Sequence, residues 1–206
     1  MKKEEVIARI IAIEWKMFQD VPNIGGTAPC QEERQTFEIM RVSQAASWSE
    51  TVLESYLDDL VEAQKQDRNL MTEKYARMMK STSPEEYTRI EHMVPSMDPE
   101  VLPMIEKITA IILGWEEELF REYPFLLRQG RPIRSSADTS FVTSLETYLK
   151  GELATYSLKT LKLYHEHLVK EQSESINGSE ITLLQTVKQY GFHSLEEANE
   201  KLKTSV

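Results

Sequence analysis

A single cysteine, Cys30, stands among 206 residues. No intramolecular disulfide can therefore form, which suits a reducing compartment and leaves the core to hold the fold. Glycine and proline are scarce, at seven and eight, and neither occurs between Cys30 and Ser83, so long elements can run there unbroken. No stretch approaches the ~20 apolar residues that span a bilayer. Lys2 and Lys3 look like the start of a secretion signal, but Glu4, Glu5, Arg9 and Glu14 interrupt the apolar run such a signal needs. The chain reads as cytoplasmic with no membrane role, and the sequon Asn177-Gly178-Ser179 reads as a turn. Cations are in deficit too: 24 Lys and Arg against 34 Asp and Glu give a net charge of −10. A nucleic acid partner is disfavoured, because a phosphate polyanion needs a cationic surface. No run alternates convincingly as a strand would, and no period repeats.

What is present is helical. A chain of this size buries roughly 70% of its unfolded surface, and 40% hydrophobic with 28% charged residues describes an ordinary globular protein. Apolar residues recur at helical spacing over 2–19, with Ile7, Ile10, Ile11, Met17 and Phe18 on one face that also carries Glu14. Residues 30–83 predict one long helix or two, with the break at 67–70 and Asp67 or Asn69 as cap. Ser83-Pro84 opens a short helix over 85–92 and Asp98-Pro99 a longer one to about 122. Asp138, Thr139 or Ser140 is expected to cap a helix over 141–171, with Gly151 its weak point. A helix over 181–190 stops at Gly191, and Ser194 with Glu197 forms a capping box for the last. The fold class is all-α: a single-domain bundle of six to eight helices with two irregular connecting loops, 20–29 and 123–138. Residues 173–206 form a small helical hairpin packed on it.

Three features could carry chemistry. The loop "NIGGTAPCQ", 23–31, pairs Gly25 and Gly26, but they follow a helix and no lysine comes next, so a phosphate cradle of the P-loop type fails. Cys30 is placed near a predicted helix start, where the dipole favours a thiolate, yet Glu32 and Glu33 oppose it and no histidine is near in sequence. The glycines read as a turn whose amides can still line a site. His92, His165, His167 and His193 show neither the His-Glu-x-x-His pattern nor a glutamate three residues earlier, so no metal and no cofactor is expected. Six of the nine methionines fall between Met71 and Met104; at helical spacing they read as core, with a peptide-binding face as the alternative. The third feature is the most informative. Glu14, Arg41, Gln44, Glu146 and Glu152 lie on otherwise apolar stripes, where a buried ion needs a partner. They are either a carboxylate–arginine network tying helices together or the wall of a polar binding site.

The strings "EWKMFQDVPNIGG", "CQEERQTFEIMRVSQAASW", "RNLMTEKYARMM", "RQGRP" and "ETYLKGELATYS" together resemble a bacterial family known as domain of unknown function 4125. The resemblance runs over nearly the whole chain. It implies a bacterial cytosolic protein and brings no established activity, cofactor or catalytic residue. The strings coincide with residues singled out above or nearby: Glu14, Trp15, Asn23, the glycine pair, Cys30, Arg41, Gln44, Trp48, Arg68 and Glu146.

Two functional readings follow. In the first, the chain is a ligand-binding protein or an enzyme, its site between the 23–31 loop, the start of the long helix and the 146–156 helix. Arg41 would pair a small anionic molecule, Glu14 or Glu146 would move protons, and Trp48 and Tyr156 would form apolar walls, with Asn23, Gly25, Gly26 and Gln44 alongside. In the second, a Met and aromatic face from Leu70 to Met104 makes a non-catalytic contact, as in a homodimer. Arg41 itself must meet a carboxylate, and Glu14 is the reachable one.

Overall fold

The computed structural model describes residues 2–23 and 26–204. Among them are eleven α-helices and no strand: α1 (Lys3–Gln19), α2 (Arg34–Ala46), α3 (Glu50–Lys65), α4 (Leu70–Thr82), α5 (Pro84–Ile90), α6 (Val101–Glu122), α7 (Pro124–Leu127), α8 (Leu145–Leu153), α9 (Leu158–Ser173), α10 (Gly178–Gln189) and α11 (Leu195–Lys203). The class is as expected and the count is higher than six to eight. Serine caps cause much of the excess. Ser49 accepts from the Val52 N–H and starts α3 inside the stretch that lacks Gly and Pro. Ser157 accepts from the Thr160 N–H and splits the expected 141–171 helix into α8 and α9. A hydroxyl that takes a free N–H ends one helix and begins another without a helix-breaking residue.

Other caps were placed in part. Asn69 accepts from the Thr72 N–H as expected. The helix predicted to start at Asp138–Ser140 is instead capped by Ser144, through the Thr147 N–H. Asp138 serves as a tie: it accepts from the Ser144 N–H at 2.6 Å and from the hydroxyls of Ser81 and Thr147. Ser83 makes no side-chain cap, and Ser194 caps Glu197 while Glu197 reaches back to the His193 N–H rather than to Ser194. Gly191 has the left-handed φ of +89° that a helix stop asks of it.

The principal core draws on α1, α3, α4, α6, α8 and α9, centred on Val52, Leu53, Leu60, Ile108 and Leu161. A second, smaller cluster joins Leu119 and Tyr123 to Val187, Leu195 and Ala198. There α11 packs on α7, while α10 packs on α2 and α6. No helix among the described residues is long and apolar enough to cross a membrane.

One close approach positions the functional region. A Cβ at Gly151 would stand 2.8 Å from Met78 Cγ and 3.1 Å from the Lys74 carbonyl oxygen. Only glycine lets α8 lie this near α4. Gly151 is therefore a packing contact rather than a weak point, and it brings its neighbour Glu152 to Lys74.

Candidate functional site

Four charged side chains from four helices meet in the interior: Glu14 (α1), Arg41 (α2), Lys74 (α4) and Glu152 (α8), exposed by 0, 8, 2 and 4% respectively. Each falls on its helix's apolar stripe, so packing of the stripe carries the charge inward. Arg41 donates from Nε to Glu14 Oε2 at 2.7 Å and from Nη2 to Glu14 Oε1. Its Nη1 donates to Glu152 Oε1 at 3.0 Å and to Gln44 Oε1 at 2.7 Å. Lys74 Nζ donates to Glu152 Oε2 at 2.5 Å and lies 3.5 Å from the centre of the Tyr148 ring. Two phenols complete the set: Tyr56 donates to Glu14 at 2.7 Å and Tyr156 to Glu152 at 2.8 Å. Two acids face two bases, so the cluster is formally neutral.

Burial would raise the Glu152 carboxyl, but Arg41 and Lys74 outweigh it and hold the group below the carboxylate range. Burial likewise opposes the Arg41 charge, and Glu14 and Glu152 reverse that, pushing its pKa up. Burial first, then the carboxylate each one touches, keeps Tyr56 and Tyr156 neutral donors well above their ordinary range. Glu152, Tyr56 and Tyr156 are thus poised far from neutral pH and are poor proton carriers there. Their chemistry is that of a locked network.

Above this network opens a cavity of ≈ 640 Å³, the size of a small-molecule site. Arg41, Gln44 and Glu152 reach its floor. Its walls are largely apolar and aromatic, with Phe37, Trp115, Phe120, Tyr148 and Tyr164 prominent, and the exposed Cys30, Glu33, Met40 and Arg131 stand at the rim. Arg131 lies 4.7 Å from the centre of the Tyr148 ring and donates to the Thr143 carbonyl, without a carboxylate partner among the described residues. A further polar patch on the wall joins His167, Glu116 and Ser179. His167 Nε2 is 2.7 Å from the Ser47 carbonyl and 3.3 Å from Glu171. The bond to Glu171 raises the imidazole against the cost of burial. Burial raises the Glu116 carboxyl more than its bond to Ser179 lowers it.

The residues expected at a site divide into three groups. Glu14, Arg41, Gln44 and Tyr156 come together in the network. Trp48 is buried beneath it, its ring 5.6 Å from Tyr56 and 6.2 Å from Tyr156, positioning the phenols rather than lining the cavity. The others lie apart. Asn23 donates to Gln31 at 2.6 Å, and Gln31 in turn donates to the Phe18 and Val21 carbonyls, so this pair fastens the end of α1. Gly26 has a φ of +105°, with open space where a Cβ would stand among the described residues, and Gly25 lies outside the described residues. Glu146 is not in the cavity: it accepts from the Ser135 N–H and pairs with Lys150 on the outer face of α8. The Ser135 bond chiefly lowers its carboxyl. Lys74, Tyr56, Tyr148 and Arg131 were not anticipated as parts of a site. Lys74 has a sequence signal, falling between Leu70, Met71 and Met78 on one stripe.

The structure is thus that of an all-helical protein with an apolar-walled cavity built over a buried, self-neutralising charge network. Residues 4–200 match the family described as Protein of unknown function (DUF4125), and the chain belongs to that family. No curated protein and no solved structure matches it.

Proposed function

We propose that the chain is a binding protein for a small molecule with an apolar body and an anionic end, held in the cavity over the Arg41–Glu152 floor. The carrying observation is a volume of ≈ 640 Å³ with mostly apolar walls and a floor whose charges are already paired. Such a floor offers no uncommitted charge, so the body of the ligand is recognised by shape and burial. Its anionic end meets Arg131 at the rim rather than Arg41, whose fork already holds Glu14. The alternative, an interaction face from Leu70 to Met104, has less behind it. Met71 and Met78 are core residues, and in that stretch Met93, Met97 and Leu102 are the exposed large hydrophobics.

Calorimetric titration with straight-chain carboxylates of increasing length tests the reading. Affinity should rise with chain length, fall in Met40→Trp, which fills the rim, and fall in Arg131→Gln for the acid but not for the matching alcohol. Absence of binding, or affinity indifferent to chain length, would sink it.

A further inference from the structure

The other face of α8 borders a second concavity, a groove of ≈ 410 Å³ between α4, α5, α6 and α8. Its cations are Arg77, Lys80 and Lys150, and its apolar side is formed by Met97, Leu102 and Ile105. Positive side chains gathered here run against a chain whose net charge is −10.

The charges divide into those already committed and those not. Lys150 is held by Glu106 at 3.0 Å and Glu146 at 3.1 Å. Asp138, which borders the groove through Ser81 and Thr147, is saturated by both hydroxyls and the Ser144 N–H. Glu73, the acid nearest Arg77 along α4, is gripped from two sides by Arg68. What remains is Arg77 and Lys80, neither within ion-pair distance of a carboxylate among the described residues. Arg77 is half-buried; its Nη2 donates to the Pro95 carbonyl at 2.7 Å, its Nε is buried without a partner, and Nη1 makes no hydrogen bond. The two fully buried cations, Arg41 and Lys74, each hold a carboxylate. Burial pulls the Arg77 guanidinium below its ordinary range, the mark of a charge that water and partners leave incompletely compensated.

We infer that this groove is an anion site for a small phosphomonoester, with Arg77 Nη1 as the inner contact, Lys80 as the outer one and the ester group lying along Met97 and Leu102. A guanidinium and an ammonium together suit a dianionic phosphate, and the Met97–Leu102 side gives an apolar ester group a reason to prefer this groove to bulk water. The site is separate from the cavity proposed above: Thr147, Lys150 and Gly151 face the groove, whereas Tyr148, Leu149 and Glu152 face the cavity.

Calorimetry of the whole chain with inorganic phosphate, butyl phosphate and butanol tests this. Butyl phosphate should bind more tightly than inorganic phosphate, and butanol should not bind. Arg77→Met should weaken butyl phosphate at least about tenfold, as loss of a charged hydrogen bond implies. Lys80→Met, at an exposed position that folding does not depend on, should weaken it too. Met40→Trp, at the rim of the other cavity, should leave it unchanged. No binding of either phosphate, equal binding by the wild type and both cation variants, or loss of binding in Met40→Trp would overturn the assignment.

Discussion

Arg41, on α2, and Arg77, on α4, are both withdrawn from water, and the protein treats them in opposite ways. Around Arg41 every charge is answered: two carboxylates, one ammonium, two phenols and an amide close on one another. Around Arg77 the nearby acids are answered by other groups and the guanidinium is left with one carbonyl. A buried charge with a full set of partners is architecture, since removing one partner strands the rest. A half-buried charge without them is a place where something from outside can be accommodated. The contrast also explains why Arg41, the residue a sequence reader would assign to an anion, is the weaker candidate of the two.

Mutation tests this contrast most directly at Arg41. Arg41→Met leaves Glu14 without a cation and Glu152 with Lys74 alone, and should cost about 3–5 kcal/mol. Adding Glu14→Gln should recover a substantial part, and urea unfolding of the two single variants and the double variant measures the coupling. Additive small effects would mean that the pair contributes nothing to the fold. Acid comes next. Folding depresses the Glu152 carboxyl, so its contribution is complete above the unfolded value of about 4.3 and declines as pH falls below it toward the folded value. Wild-type thermal midpoints should therefore fall between about pH 4.5 and pH 2, and Glu152→Gln, already less stable, should fall less steeply there.

Arg77→Met should cost about 1.5 kcal/mol, the lower end for a hydrogen bond from a charged group, because burial of the guanidinium offsets part of it. A loss comparable to that of Arg41→Met would erase the distinction between the two arginines. His167 gives a smaller, opposite pH signature. Its folded pKa is raised by Glu171, so its stabilisation is complete below about pH 6.5, the unfolded value, and is lost as pH rises through the folded one. Comparing urea midpoints at pH 6 and pH 9 should show a drop in the wild type that His167→Gln lacks. The smallest effect is expected at the exposed Cys30: Cys30→Ser should leave the thermal midpoint unaltered within error.

How far the sequence could lead is clearest on α8. Helical periodicity flagged Glu14, Arg41, Gln44 and Glu152 because each interrupts a local apolar stripe, and such a signal needs only neighbours within two turns. Glu146 shares that signal, yet residues six apart on a helix lie about 120° from each other around its axis. With Leu145, Tyr148 and Leu149 turned to the cavity, Glu152 falls among them and Glu146 falls outside that face. A helix expected to run unbroken from 141 to 171 blurs that face, because in sequence the Ser157 that caps α9 looks no different from a serine inside a helix. Lys74 carries a stripe signal too, but an ambiguous one. A long aliphatic stem at a stripe position usually carries its ammonium out to water. Its turn toward Glu152, 78 residues away, depends on the Gly151 contact between α4 and α8. The separation of the two concavities was likewise illegible, since it arises from helices distant in sequence closing on α8 from both sides.

Glu152 also has a consequence in time. Its carboxylate collects Arg41 from 111 residues away and Lys74 from 78, and neither contact can form until the chain on both sides has come home. Nor can α8 open alone once folded, because opening would strand two interior cations at once. The helices α1, α2, α4 and α8 should therefore exchange their amide protons as one unit, at rates set by complete unfolding. The separate small cluster of α7 and α11, which holds no buried ion pair among the described residues, should exchange sooner. The network thus works less as a brace than as a clasp, deciding which parts of the chain come apart together.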